Sequence, residues 1–307
     1  MSGRDRATYL QGLFTNDITA LTPGQGCYTA YLTAQGRMIT DLHVYEIGDA
    51  MLVVTPPQTK GTVLAKLDQF IFSEDVQLGD VTDALGVVAL VGPNAAATAA
   101  QATGLDVESL RALPDEGVVR HVVDEQPVVV MRVSDTGVPG LQLVAPRAYL
   151  DALVERCVSA GVPLLDESTA DLLRIEAGVP LFGPDMAEDT IPLEAGIEAR
   201  AINFNKGCYV GQEVIIRVLH RGGGRVAQKL VGLTWPADAA VPVAGAVLQH
   251  EGKDVGAVTS SARSEALGCP IALAYLKRDY LEPGTTVTGP DGAVATVVAL
   301  PVVAVPE

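Results

Sequence analysis

Residues 201–221, with the sequence AINFNKGCYVGQEVIIRVLHR, form the most distinctive stretch of the chain. Two glycines, Gly207 and Gly211, flank a short segment that contains Cys208, and glycine permits a close backbone approach or a positive φ angle. An amphipathic run opens at Gln212. The pattern predicts a tight loop that delivers Cys208 close to the start of a helix, or to the edge of a strand if the β-branched residues decide the conformation.

Cys208 is the candidate nucleophile of this loop. Lys206 lies two residues before it, and a nearby cation together with free backbone N–H groups favours a thiolate over a thiol. We therefore expect a reactive Cys208 that Lys206 assists. The alternative interpretation is a structural cysteine buried in a glycine-rich turn.

The other three cysteines predict neither a metal site nor a disulfide framework. Cys27, Cys157 and Cys269 are widely spaced, and no C-x-x-C pair occurs among the four, which excludes a zinc ribbon. So few cysteines in a chain of 307 residues are typical of a reducing compartment. We expect a cytoplasmic protein in which most thiols are buried and inert.

A second segment of interest is 173–194, LRIEAGVPLFGPDMAEDTIPLE, where glycines and prolines occur without periodicity. This predicts a long ordered loop, and such loops tend to be functional. The spacing of its acidic residues fits no calcium loop, so we predict no metal site. Glu194 stands apart because apolar residues surround it, among them Leu193 and Ile197. A carboxylate in that setting can accept hydrogen bonds from the N–H groups of a flat heterocycle that carries an amino group beside a ring N–H.

The composition excludes some classes of function. Acidic residues number 37 and basic residues 21, which gives a formal net charge of −16, whereas proteins that bind nucleic acid in bulk carry a basic face. The chain has no apolar run long enough to span a membrane, and its first residues lack the apolar core of a secretory signal. We expect neither bulk nucleic-acid binding nor a membrane partner.

The first two thirds of the chain predict a mixed α and β structure. Two β-rich runs, 26–33 and 38–47, are joined by a turn and predict a hairpin that carries Asp41. Residues 85–91 predict a buried strand. We take His43 to be structural or on the surface, because the histidines form no recognisable ligand pair.

The last third predicts a separate β domain. Beyond the glycine triplet 222–224, short β-branched runs are separated by Gly, Pro and Asp turns, which favours a small barrel or sandwich. We place a domain boundary near residue 225 and interpret the triplet as a hinge.

The segment 206–213, KGCYVGQE, matches in full the K-G-C-[FY]-x-G-Q-E signature of the YgfZ-type folate-binding proteins, which are relatives of the glycine-cleavage T-protein, the aminomethyltransferase. The resemblance spans the chain. YLQGLFTNDITAL and TAQGRMITDL resemble the N-terminal segment of that family, TIPLEAGIEARAINFNKGCYVGQE resembles its central block, and VGAVTSSARSEALGCPIALAYL is similar to its C-terminal barrel.

This resemblance implies an α+β fold, with three lobes arranged as a ring around a central folate channel and a C-terminal β-barrel. Residues 1–46 and 131–225 would form a discontinuous folate-binding domain. Residues 47–130 would form an α+β domain inserted into it, and residues 226–307 would form the barrel.

The resemblance also assigns the site residues. The pterin-binding glutamate of the family corresponds to Glu194, and the signature cysteine corresponds to Cys208, with Lys206 beside it as the second catalytic candidate. The remaining candidates for binding tetrahydrofolate are Asp41, Gly207, Tyr209, Gly211, Gln212 and Glu213.

Two functions from different classes follow from the resemblance. The first is a tetrahydrofolate-binding accessory factor for the assembly or repair of iron–sulfur proteins, and through them for tRNA modification, with iron–sulfur client proteins or assembly factors as partners. The second is a folate-dependent aminomethyltransferase or related one-carbon transferase. A catalytically silent folate carrier is a third, weaker option. The T-protein has two adjacent acids where this chain has Thr40 and Asp41, which led us to favour the accessory factor and to expect no glycine-cleavage aminomethyl transfer.

Overall fold

A computed structural model describes residues 1–221 and 223–304, without the side chain of Arg221. Gly222 of the predicted hinge and residues 305–307 of the predicted barrel domain lie outside the described residues. The chain divides into two compact units. The first comprises Met1–Tyr31, Thr40–Leu165 and Ala201–Val210, and the second comprises Leu32–Ile39, Asp166–Arg200 and Gly211–Glu307.

Short helices are distributed along the whole chain. They are α1 (Arg6–Gln11), α2 (Lys60–Gln69), α3 (Ala95–Thr103), α4 (Val107–Arg111), α5 (Leu150–Ser159), α6 (Glu167–Ala177), α7 (Pro192–Ala195), α8 (Glu198–Ala201) and α9 (Gln212–Arg221). In the described part of the chain, every helix is too short or too polar to cross a lipid bilayer.

The predicted N-terminal hairpin is confirmed. It forms a three-stranded sheet in the order β1 (Gln25–Leu32), β2 (Met38–Glu46) and β3 (Met51–Val54). The strands β2 and β3 are antiparallel, with His43 opposite Val54 and Tyr45 opposite Leu52. Side chains alternate between the two faces of a strand, so Asp41 shares one face of β2 with His43 and Tyr45.

The first unit also contains a four-stranded antiparallel sheet in the order β4 (Leu85–Val91), β7 (Gly140–Pro146), β6 (Gln126–Arg132) and β5 (Val118–Val123). One face packs on α3 and α5 through a core that includes Leu143, Leu153 and Cys157. The prediction that β4 is a buried strand is wrong. It is an edge strand that pairs only with β7, a strand that we did not predict, and its Val87 is 51% exposed.

The second unit contains a closed six-stranded barrel, which confirms the predicted β-rich C-terminal region and decides for a barrel over a sandwich. Its strands follow the order β10 (Lys253–Ser264), β11 (Cys269–Lys277), β8 (Gln228–Thr234), β13 (Val294–Val298), β12 (Thr286–Thr288) and β9 (Val247–His250). Small and branched residues such as Ala272, Ala274, Val258 and Leu233 fill the interior, as is usual for a narrow barrel.

Helix α6 contacts the barrel through Arg174, which also takes part in a buried ion pair. The helix begins where Asp166 accepts a 2.8 Å hydrogen bond from Thr169 N. Near its end, Arg174 donates to Asp185 Oδ2 at 2.7 Å and to Ser260 Oγ on β10 at 2.8 Å. Both charged side chains are almost fully buried, and such a pair is tolerated inside a protein only when its remaining hydrogen bonds are satisfied.

The observed fold is therefore mixed α and β with a C-terminal barrel of six strands, which confirms the predicted fold class and the barrel that the resemblance implied. The predicted loop at 173–194 is helical up to Ala177 and irregular from there to the short helix α7. The domain boundaries at 46, 130 and 225 stay a prediction.

Candidate functional site

Asp41 is the candidate residue with the most unusual environment. Its Oδ2 accepts a 2.8 Å hydrogen bond from the Tyr28 hydroxyl. Its Oδ1 is buried and has no hydrogen-bond partner among the described residues. Burial raises the pKa of Asp41, while the Tyr28 hydrogen bond acts in the opposite direction. A half-buried carboxylate with one free oxygen can accept a proton or stabilise a positive charge on a bound ligand.

Next to Asp41 lies a group of residues that we did not predict as functional. The His43 ring contacts the Tyr28 ring, with 5.1 Å between centroids. His43 Nδ1 is 2.8 Å from Glu116 Oε2, and its Nε2 is 3.3 Å from Asp135 Oδ1. Our expectation of a merely structural His43 missed this cluster, although the alternation of Asp41, His43 and Tyr45 along one strand was a signal for it.

Burial lowers the pKa of His43, but the hydrogen bonds and charges of Asp135 and Glu116 outweigh it and raise that pKa to about 10. The imidazole is therefore a cation at neutral pH. Glu116 Oε2 also accepts a 2.8 Å hydrogen bond from the Tyr45 hydroxyl. A single carboxylate oxygen therefore binds both His43 and Tyr45 of β2.

Thr40 faces away from this cluster. Its side chain is fully buried, its Oγ1 donates to Asp41 O at 2.8 Å, and the same oxygen lies 3.0 Å from Thr59 Oγ1. Because neighbouring residues on a strand point to opposite faces, an acid at position 40 would not share the surroundings of the Asp41 side chain. The absence of an acid there is consequently no argument against catalysis at Asp41.

Lys206 is buried and holds the N-terminal segment in place. Its Nζ donates to the carbonyl oxygens of Gln11, Phe14 and Asn16 at 2.8, 2.6 and 2.7 Å. Burial lowers the pKa of Lys206 to about 8, which leaves it charged at neutral pH. All three ammonium hydrogens therefore have carbonyl acceptors. The assistance that we expected it to give Cys208 stays a prediction, and these contacts do not support it.

The residues that follow Lys206 differ in exposure. Cys208 and Gly207 are exposed, whereas Tyr209 is buried with its ring 5.2 Å from Lys206 Nζ. Burial raises the pKa of Tyr209 to about 12. The backbone N–H of Val210 donates to Gly12 O at 3.1 Å, so the loop is fixed at both ends while Cys208 lies at its surface.

Gly211, Gln212 and Glu213 belong to the second unit, at the start of α9. Gly211 has a φ of +86°, and a Cβ atom there would lie 2.5 Å from Thr33 O. Only glycine fits that position without displacing the backbone. The helical alternative for the run after Gly211 is confirmed, and Glu213 lies exposed in its first turn.

Glu194 lies in the short helix α7, among buried apolar residues, and is only 7% exposed. Its Oε2 accepts a hydrogen bond from Ile191 N at 3.3 Å. Burial raises the pKa of Glu194, while the Ile191 N–H and the charge of Arg37 lower it. This setting agrees with the apolar environment that we inferred from the sequence.

A tyrosine of the barrel adds to the surroundings of Glu194. Burial, followed by the negative charges of Asp185 and Glu194, raises the pKa of Tyr275 on β11. The Tyr275 hydroxyl is buried and has no hydrogen-bond partner among the described residues, so it is available to donate to a ligand. Sequence analysis missed Tyr275, because its barrel strand and α7 are distant in sequence.

The candidate residues are thus distributed over both units. Asp41, Lys206, Gly207, Cys208 and Tyr209 lie in the first unit, and Glu194, Gly211, Gln212 and Glu213 lie in the second. In the ranges 1–221 and 223–304, no group of three or more His, Cys, Asp and Glu side chains has the geometry of a metal site. The assignment of all these residues to a ligand site stays a prediction.

Comparison with known families matches nearly the whole chain. Residues 1–206 match the GCVT N-terminal domain, and residues 228–303 match the glycine cleavage T-protein C-terminal barrel domain. A solved structure described as the glycine cleavage system aminomethyltransferase T from Bartonella henselae has a TM-score of 0.85 and 26% sequence identity. The match covers 98% of this chain and 82% of that one.

Curated relatives carry the name aminomethyltransferase. The protein from Bacillus subtilis is 30% identical over 94% of this chain and 79% of its own length. Those from Streptomyces coelicolor and Cutibacterium acnes are 31% and 32% identical over 95% and 94% of this chain, and 78% and 79% of their own lengths.

These findings correct our functional prediction. The accessory role for iron–sulfur proteins, with Cys208 as its working group, is wrong, since relatives across the whole length of the chain are named aminomethyltransferases. The prediction that the chain is not a glycine-cleavage aminomethyltransferase is wrong for the same reason. The argument from Thr40 failed because that side chain is buried on the other face of β2. The chain belongs to the glycine cleavage T-protein family, with its N-terminal domain and its C-terminal barrel.

Proposed function

We propose that this chain is an aminomethyltransferase that moves a one-carbon unit from a methylamine-type donor to tetrahydrofolate. The observation that carries the proposal is the Asp41 carboxylate, whose buried Oδ1 has no partner in the described part of the chain. A buried acceptor without a partner costs free energy in the folded protein, so its presence favours a ligand that donates to it. The curated names of the relatives support the same function.

We assign the pterin ring of tetrahydrofolate to Glu194. The side chain fits that role because it is a buried carboxylate that accepts one long hydrogen bond from the Ile191 backbone and another from the Gln228 side chain. A carboxylate can accept about four hydrogen bonds, so Glu194 keeps capacity for the N–H groups of a pterin. The buried Tyr275 hydroxyl, which has no hydrogen-bond partner among the described residues and interacts electrostatically with Glu194, adds a donor. Tetrahydrofolate would supply the nitrogens that take up the one-carbon unit, while the amine nitrogen of the donor would leave as ammonia and the sulfur of its lipoyl carrier as a thiol.

Asp41 would act on the donor. An amine of this class is protonated at neutral pH, and a carboxylate in a site of low polarity stabilises such a cation more strongly than water does. Burial raises the pKa of Asp41, which also makes it a better proton acceptor as the amine reacts. The Tyr28 hydroxyl, which occupies Oδ2, leaves Oδ1 for the ligand.

The remaining candidates have a supporting role in the proposal. Lys206 and Tyr209 fix the loop in the first unit, and Gly211 permits the turn into α9 in the second. Gln212 and Glu213 at the start of that helix, with Gly207 in the loop, stay candidates for contact with folate.

The test is turnover of an aminomethylated lipoyl carrier in the presence and absence of tetrahydrofolate. We expect folate-dependent consumption of the carrier by the wild-type protein. Asp41→Asn should lower the rate about 10²–10⁴-fold, as is usual for the loss of an acid–base group, whereas Asp68→Asn, an exposed residue of α2, should not. Absence of folate-dependent turnover by the wild-type protein would overturn the proposal.

We also propose a finer assignment within the family, to its YgfZ-type branch, supported by the KGCYVGQE segment alone. This assignment concerns sequence relationship and not activity. Cys208 is exposed, and aminomethyl transfer needs no cysteine there, so Cys208→Ser should turn over the carrier at the wild-type rate. A strong loss of turnover in that variant would contradict the assigned chemistry. A cytoplasmic location stays a prediction from the cysteine content.

A further inference from the structure

We propose that His43, held between Glu116 and Asp135, is a positioning residue of the transferase, which fixes Tyr28 and thereby the orientation of the Asp41 carboxylate. This inference rests on the proposed function of Asp41. It concerns His43, Glu116 and Asp135, to which neither the sequence analysis nor the proposed reaction gives a functional role.

The first observation is the confinement of the imidazole. The rings of Tyr28 and Tyr45 lie next to it, with centroids at 5.1 and 6.2 Å, and the Tyr45 ring is parallel to it within 4°. Carboxylates lie at both nitrogens, Glu116 at 2.8 Å and Asp135 at 3.3 Å. Contacts at both nitrogens and with two neighbouring aromatic rings restrict the orientation of the imidazole.

The second observation is the backbone of Glu116. Its φ is +59°, a left-handed conformation that is uncommon for residues other than glycine, asparagine and aspartate. In that conformation its Oε2 accepts from both His43 Nδ1 and the Tyr45 hydroxyl. Strained residues of this kind persist where the surrounding structure holds them, often near functional sites.

The third observation is the chain of contacts to Asp41. The Tyr28 ring packs against His43, and the Tyr28 hydroxyl donates to Asp41 Oδ2. Rotation of His43 would remove the support for Tyr28 and allow the carboxylate to turn. With the tyrosine in place, Oδ2 is occupied and Oδ1 is the oxygen available to a substrate.

Electrostatic interactions also link His43 and its partners to Asp41. The titratable groups around His43 are Cys27 and Tyr28 on β1, Asp41 and Tyr45 on β2, and Glu116 and Asp135 in loops. The His43 cation favours the ionised form of Asp41, whereas the Asp135 charge opposes it. Removing the His43 charge should therefore raise the pKa of Asp41, and removing the Asp135 charge should lower it.

The test is the pH dependence of kcat/KM for folate-dependent turnover by the full-length protein. In His43→Leu, loss of the cation should move the acid limb of the profile upward by about 1 pH unit. In Asp135→Asn, the limb should move downward, because Glu116 keeps His43 protonated. His121→Leu is the matched control, since His121 lies on β5 and should keep the wild-type limb.

The outcomes separate the two proposals. Absence of turnover by the wild-type protein contradicts the proposed function itself. Wild-type turnover with unmoved acid limbs in both variants, or with limbs that move in the same direction, overturns the role of His43. If His43→Leu does not fold, His43→Gln, which keeps a donor but not the charge, should show the same upward shift, and an unmoved limb in that variant also overturns the role.

Discussion

At the scale of single residues, Lys206 shows how contacts that are distant in sequence can engage a side chain whose sequence neighbourhood predicts another role. A lysine close to a cysteine predicts an activated thiol, yet its three Nζ hydrogens all bind carbonyl oxygens of the segment 11–16. Those acceptors are 190 or more residues away in sequence, so no local pattern could reveal them.

We expect Lys206→Met to lower the free energy of unfolding by about 2–4 kcal/mol, because it leaves buried carbonyl groups without donors. Lys253→Ala, on an exposed barrel residue, should change stability by less than about 0.5 kcal/mol. Urea unfolding of both variants measures the difference. An equal effect of the two substitutions would show that the three carbonyl contacts contribute nothing.

His43 makes stability depend on pH in a defined direction. Its pKa is raised to about 10 in the folded protein, against about 6.5 in an unfolded chain. The folded state therefore binds more protons between these values, and the stabilisation is full below pH 6.5 and is lost as the pH rises towards 10. The His43→Asn variant should show a flatter decline of stability across that range. An NMR titration of the wild-type His43 ring with a midpoint near 6.5 would contradict this account.

Thr40 provides a third test at this scale. Thr40→Asp places a carboxylate in a fully buried position beside Thr59, and we expect it to lower stability by at least about 2 kcal/mol and to leave aminomethyl transfer no faster. Thr40→Ser keeps the hydroxyl and loses one methyl group, at a cost of about 1 kcal/mol. Thermal unfolding and turnover are the measurements, and faster turnover by Thr40→Asp would restore the argument that we corrected.

At the scale of elements, the segment 206–213 contains two glycines with different roles. Gly211 has a positive φ and no room for a Cβ, whereas a Cβ on Gly207 would meet no atom within 4 Å. We expect Gly211→Ala to destabilise the protein by about 1–3 kcal/mol and Gly207→Ala to be close to neutral in urea unfolding. If Gly207→Ala keeps its stability but loses folate binding, the glycine serves a ligand, and equal destabilisation by both would refute the distinction.

The elements that sequence analysis predicted well have strong local patterns. The hairpin of β1 and β2 and the short barrel strands combine β-branched or alternating residues with Gly, Pro or Asp at their ends. The burial of β4 could not be predicted, because it depends on which strand lies beside it in the sheet. That neighbour, β7, was missed although Leu141, Leu143 and Ala145 alternate along it.

At the scale of the whole molecule, part of the candidate site followed from sequence and part did not. Glu194 was predicted as a candidate from its apolar flanking residues and from resemblance, and Asp41 was predicted from resemblance. Glu116, Asp135 and Tyr275 were not, because each acts on a residue far away along the chain. Neither the KGCYVGQE segment nor the Thr40-Asp41 pair was enough to predict the proposed function. The relatives that match along the whole length of the chain decided against the iron–sulfur role.

The most direct test of this account is a calorimetric isotherm for tetrahydrofolate on the wild-type protein, Glu194→Gln and Glu188→Gln. Glu194 is buried, whereas Glu188 is an exposed acid of the same segment, so the two substitutions differ only in where the carboxylate lies. We predict saturable binding to the wild-type protein and to Glu188→Gln, and an affinity about tenfold to a hundredfold weaker in Glu194→Gln, because pterin N–H groups lose their acceptor. Absence of binding to the wild-type protein, or equal affinity in all three proteins, would contradict the assignment of tetrahydrofolate to this chain and to Glu194.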